Sequence, residues 1–84
     1  MKHIALQQDY AIVLQEVNEG GEEDFEYLAE SLRFRREKLA HILQELHHKG
    51  LIVSRHSPYG LWIRLSAKGK KIIQSLWLES HPAF

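Results

Sequence analysis

The feature that most constrains this chain is a change of hydrophobic period at Gly50. A helix brings every third or fourth residue to one face, a strand every second, so the period names the element. Before Gly50 there are three stripes of helical spacing. They are Tyr10, Val13, Leu14 and Val17; Phe25, Leu28, Ala29 and Leu32; and Leu39, Ile42, Leu43 and Leu46. The first helix can start at Asp9 or a nearby glutamine and is stopped by Gly20-Gly21. Glu22 to Asp24 then read as an acidic connector. Asp24 suits the N-cap of the second helix, because its carboxylate can accept from free backbone amides in the next turn. That helix spans about Phe25 to Ser31 and gives way at Arg33-Phe34. The third spans about Arg36 to Lys49, and Gly50 suits the left-handed residue just past its end. Two helices joined by so short a turn have the helix-turn-helix shape.

Beyond Gly50 the segment Leu51-Ile52-Val53-Ser54-Arg55-His56 is rich in β-branched residues, and Leu61-Trp62-Ile63-Arg64-Leu65 alternates. Ser57-Pro58-Tyr59-Gly60 between them has turn chemistry, so the pair reads as a β-hairpin. Ser66 then caps a last helix with Ile72, Ile73 and Leu76 facing inward. Pro82 blocks its continuation into the tail. The expected fold is α+β, mainly α. It has a three-helix core, a two-stranded wing and a C-terminal helix, as one domain over residues 1–84. The helix-turn-helix falls at about 25–49, the wing at about 51–65 and the last helix at about 67–79.

With 84 residues the chain has room for one small core. It contains no cysteine, which removes disulfides and thiolate metal sites. Apolar runs such as Ala11-Ile12-Val13-Leu14 are far shorter than the ~20 residues of a membrane span, so we expect a soluble, cytoplasmic protein with no membrane partner. The net charge of zero hides a division. Residues 1–30 hold eight acids and one base, a net −7; residues 31–84 hold ten bases and three acids, a net +7. Either one face meets an anionic partner, or the two parts pair internally.

Three segments, Leu28-Ala29-Glu30-Ser31-Leu32, residues 43–52 and Leu65-Ser66-Ala67-Lys68-Gly69, together resemble winged-helix domains of the MarR-like bacterial and archaeal transcriptional regulators. Leu28-Ala29-Glu30-Ser31-Leu32 is similar to their Leu-Ala-x-x-Leu. Leu43-Gln44-Glu45-Leu46-His47-His48-Lys49-Gly50-Leu51-Ile52 is similar to Leu-x-x-Leu-x-x-Lys-Gly-Leu-Ile, and Leu65-Ser66-Ala67-Lys68-Gly69 to Leu-Thr-x-x-Gly. The likeness covers about residues 8–78. Arg33 stands where such domains usually have a glycine, and Arg35 where serine or threonine usually caps the recognition helix.

The resemblance implies a DNA-binding transcriptional regulator, acting as a homodimer on double-stranded DNA. Its third helix would enter the major groove, with the wing on flanking backbone or minor groove. Spaced at 100° per residue, the face opposite the apolar stripe holds Glu37, His41, Gln44 and His48, flanked by Ala40 and Lys38. Arg35 and Arg36 stand at the helix start. Glutamine can bond bidentately to adenine and arginine to guanine. The candidate DNA-binding residues are therefore Arg35, Arg36, Lys38, His41, Gln44 and His48, with Arg55, His56, Tyr59 and Arg64 from the wing. A homodimer would bury Ile4, Leu6, Trp77 and Leu78 at the chain ends.

The alternative is a winged helix that docks a protein, through the acidic surface of the first two helices or the apolar area of Trp62 and Trp77. His41, Glu45 and His48 share a helix face, but no ligand on a second element accompanies them other than His81 or one from a second subunit, so no metal or other cofactor is expected. No phosphate-cradling glycine loop or nucleophile elbow occurs, so no enzymatic activity is expected.

Overall fold

A computed structural model describes the backbone of residues 8–80 and the side chains of residues 8–75. The elements run α1 (Gln8–Gly20), β1 (Glu22–Asp24), α2 (Phe25–Leu32), α3 (Arg36–His48), β2 (Ile52–Ser57), β3 (Gly60–Leu65) and α4 (Ala67–Ser80). Expectations about Ile4, Leu6, His81, Pro82 and the side chains of Leu76, Trp77 and Leu78 lie outside the described residues. Among the described residues, no helix is long and apolar enough to cross a membrane.

The helical stripes converge. Val13, Leu14, Val17, Leu28, Leu39, Leu46, Leu51 and Ile63 are fully buried, and Ala29, Ile42, Leu43, Ile52, Leu65 and Ile73 complete the core. Burial of such side chains contributes about 1.5–3 kcal/mol each and holds α1, α3, α4 and the hairpin together.

The helix ends follow local chemistry. Asp24 caps α2 by accepting from the Tyr27 amide at 3.1 Å. Both α2 and α3 finish in a Schellman turn, in which an amide reaches back five residues while the preceding one reaches back three. After α3 these bonds are Leu51 N–H to the Leu46 carbonyl and Gly50 N–H to the His47 carbonyl, both 2.9 Å, with Gly50 at φ 77°. After α2 they are Phe34 to Ala29 at 3.1 Å and Arg33 to Glu30 at 3.3 Å. Here the left-handed residue is Arg33 itself, at φ 58° and ψ 37°. That conformation opposes the Cβ atom, and the two backbone bonds with the half-buried Phe34 hold it in place.

Ser66 fastens α4 to the end of α3. Its hydroxyl donates to the Gly50 carbonyl at 2.6 Å and accepts from the Gly69 amide at 3.0 Å. Its own amide donates to the Leu51 carbonyl at 3.0 Å.

The hairpin closes on Ser57 and Gly60 with Pro58-Tyr59 between them. The Ser57 hydroxyl serves the turn, accepting from Tyr59 N–H at 3.1 Å and from Trp62 Nε1–H at 3.2 Å.

One expectation is corrected. Glu22–Asp24 is not a bare connector but a strand, paired antiparallel with β3, so the sheet has three strands in the order β1-β3-β2. Acidic residues are poor strand formers. The free edge of β3 imposes the conformation, and Arg64 and Trp62 stand opposite Glu22 and Asp24.

Glu23 lies against Gly20 at the end of α1. Burial, and secondarily the neighbouring Glu16, push its carboxyl above the ordinary 4.5. A raised carboxyl means that the folded state binds its proton more tightly than the unfolded state does, so ionised Glu23 weakens the fold at neutral pH. Glu23→Gln is expected to stabilise the protein by a few tenths of a kcal/mol at pH 7. The gain should disappear as pH falls below the ordinary 4.5. Denaturant melts of both proteins at the two pH values check this; equal stability at pH 7 contradicts it.

Candidate nucleic-acid interface

The core-facing stripe of α3 leaves its opposite side with no covering element among the described residues. Glu37, Ala40, His41, Gln44 and His48 are all exposed there. Arg35 precedes the helix in extended conformation, without a side-chain cap bond. It is exposed, and among the described residues no carboxylate pairs with it.

Strand register decides where the wing residues go. Ile52, Ser54 and His56 oppose Leu65, Ile63 and Leu61, whereas Val53 and Arg55 oppose Arg64 and Trp62. Successive residues point to opposite faces. The first set faces α3, across an open groove of about 250 Å³ lined by Ala40, Gln44 and His47 on one side and Ser54, His56 and Leu61 on the other. The groove continues past His56 to Tyr59 at the tip, with Phe25 and Glu26 on the α2 side. Tyr59 is 91% exposed. The second set, Arg55, Trp62 and Arg64, occupies the outer face of the sheet.

Eight of the ten candidate residues form two groups, and the other two, Arg36 and Lys38, are engaged by acids of α2 and α1. Gln44 and His56 line the groove, Tyr59 stands at its outer end, and Arg35, His41 and His48 lie on the exposed side of α3. Arg55 and Arg64 lie on the far side of the wing. His47 is a groove residue that sequence reading did not select. Its helical angle places it beside Ala40, but only the position of the hairpin shows that this side faces a groove.

The electrostatics bear on the division of charge. Arg36 of α3 bonds to Glu26 of α2 through Nη2 and through Nε, the latter at 3.2 Å. That hydrogen bond and the Glu26 charge hold its guanidinium above its ordinary basic range. Lys38 meets Asp9 of α1 at 2.8 Å and lies 4.5 Å from the centre of the Phe34 ring. Arg55 of β2 bonds to Glu22 of β1 through Nη2 at 3.1 Å and Nε at 3.4 Å, with its guanidinium 5.9 Å from the centre of the Trp62 ring. Each of these pairs joins an acid of residues 1–30 to a base of residues 31–84. Internal pairing therefore accounts for part of the charge division. Among the described residues, Arg35 and Arg64 have no such carboxylate.

No protein-family profile matches the sequence, and no curated protein matches it significantly. Solved structures do. The MarR C80S mutant from E. coli in complex with operator DNA aligns over 88% of this chain and 55% of its own, with a TM-score of 0.83 and 18% identity. The transcriptional regulator SlyA aligns over 92% of this chain and 56% of its own, at 0.80 and 21%. A probable transcriptional regulator from Pseudomonas aeruginosa aligns over 92% and 61%, at 0.83 and 19%. The likeness establishes the winged-helix fold of the MarR-like proteins. The chain spans little more than half the length of these structures.

Proposed function

We propose that this winged helix binds double-stranded DNA as a transcriptional regulator, with α3 in the major groove. The carrying observation is the uncovered side of α3 bordering an open groove toward the wing, in a fold that one structural neighbour uses in complex with operator DNA. In this reading Gln44 contacts a base edge, and His41 and His48 approach the groove floor or its backbone. Arg35 and Arg36 anchor the helix start, and Lys38 meets the phosphates beside it. His56 and Tyr59 meet the backbone from the α3 side of the wing. Arg55 and Arg64 meet it from the outer face. Two copies act together, since helix-turn-helix dimers read half-sites about one helical turn apart.

Selection of bound sequences from random duplex DNA tests the reading, and a dimer should return a palindromic site. On the selected site, Gln44→Ala is expected to relax preference at one base pair, at a cost of about 1–3 kcal/mol. Arg55→Ala should weaken all sequences alike. If both variants merely weaken binding uniformly, α3 is not the reading element.

A second reading, a protein-docking module, draws on the neutralised state of Arg36, Lys38 and Arg55. It requires that no duplex bind even at low salt.

A further inference from the structure

We propose that Asp9, Glu22 and Glu26 are competitors of DNA phosphate, so that binding proceeds by exchange of three intramolecular ion pairs for phosphate contacts. This rests on the nucleic-acid reading above and adds to it the residues that set its strength.

The geometry is the reason. A guanidinium presents parallel donors that fit a carboxylate or a phosphate equally well. Glu26 and Glu22 each take the Nε and Nη2 donors of one arginine, Arg36 and Arg55 respectively. Those edges are occupied before DNA arrives. Lys38 has a single charged head, and Asp9 holds it at 2.8 Å. All three pairs are solvent-exposed, with the cationic side chains 48–67% accessible, so water and phosphate can reach them and break them. Each carboxylate also places a negative charge where a phosphate would come, well inside the screening length of about 10 Å. The three acids sit on three different elements, α1, β1 and α2, and the three cations are among the candidate anchors on α3 and the wing. This side-on pairing leaves Nη1 of each arginine free among the described residues, so a purely orienting role predicts weaker binding when the acid is removed, whereas competition predicts tighter binding.

Exchange has a thermodynamic signature. Each cation–phosphate contact adds about −0.9 to the slope of log affinity against log salt. A cation that stays with its carboxylate adds nothing. Removing the carboxylate should therefore raise affinity in every case, and steepen the slope only to the extent that the pair stays closed in the wild-type complex.

The test uses fluorescence anisotropy with a labelled mixed-sequence duplex. The proteins compared are the wild type, Asp9→Asn, Glu22→Gln, Glu26→Gln, the triple variant and Glu30→Gln. Glu30 is exposed, and among the described residues it pairs with no cation, so Glu30→Gln controls for net charge alone. Each single change at a paired acid should tighten binding about 2- to 5-fold, the range expected from exposed ion pairs. The slope should steepen by up to about 0.9 per site. Glu30→Gln should change affinity less than about 2-fold, as screening predicts. Circular dichroism confirms that each variant is folded. If the paired-acid variants match Glu30→Gln, or bind more weakly than wild type, the competition is refuted while duplex binding stands. If neither wild type nor any variant binds at low salt, the nucleic-acid reading falls and takes the exchange with it.

Discussion

Raising salt from about 50 to about 200 mM is expected to lower duplex affinity between roughly 10- and 500-fold for each bound protomer, given a slope of about −0.9 per phosphate contact. The lower limit counts only Arg35 and Arg64, which no carboxylate holds among the described residues. The upper limit adds Arg36, Lys38 and Arg55 in full. The wild-type slope should lie between about −2 and −4.5 per bound protomer, and its value reports how many of the paired cations exchange. A fluorescence titration at four or five salt concentrations measures it. A flat line at measurable affinity means that the basic residues of α3 and the wing do not meet phosphate, and it would remove the proposed role of these side chains.

Gly69→Ala is expected to be the most damaging small substitution in α4. An added Cβ would stand 2.0 Å from the Leu51 carbonyl oxygen and 3.0 Å from its carbon. Both are backbone atoms of the segment that leaves α3, so no rotamer change can relieve the clash. Either α4 moves off the hairpin, or Leu51, fully buried, moves out of the core. Close-packed interiors resist such shifts, and overpacking costs about 1–3 kcal/mol or more. The same substitution in an exposed helix gains up to about 1 kcal/mol, so the sign itself is diagnostic. A net loss of about 2–3 kcal/mol should lower the melting temperature by roughly 10–20 °C for a domain of this size. The exposed Lys70→Ala is the comparison, expected to stay within about 0.5 kcal/mol of wild type. A Gly69→Ala protein as stable as wild type would mean that α4 is not seated on the Leu51 carbonyl.

That glycine shows how far a sequence can be read. Leu65-Ser66-Ala67-Lys68-Gly69 could be matched to a motif, and Ser66 could be assigned as a cap, because a cap bond spans three residues. Why position 69 takes glycine could not be read, because the atom it must avoid belongs to Leu51, eighteen residues earlier. The candidate interface divides in the same way. The 3.6-residue period placed Glu37, His41, Gln44 and His48 on the outward side of α3, and all are exposed there. The wing residues Arg55, His56 and Arg64 looked like one group along the chain. The register separates them, with His56 facing α3 and the two arginines on the outer face.

What the amino-acid order determined by itself were features written within about five residues. These are the three helical stripes, the Asp24 and Ser66 caps, the Gly50 turn and the hairpin closed at Ser57 and Gly60. Each depends on side-chain spacing or on a hydrogen bond to a near neighbour, so nothing distant can easily override it. Tertiary structure decided the rest. Glu22–Asp24 became a strand because β3 offered an unpaired edge. Arg33 took a left-handed conformation because Phe34 had to turn back toward Ala29. The acids of the first thirty residues met Arg36, Lys38 and Arg55 because packing brought α1, α2 and β1 beside α3 and the wing. Ion pairs between distant residues have no period and no local signature. Their energy depends on separation in space, which exists only after the core has formed.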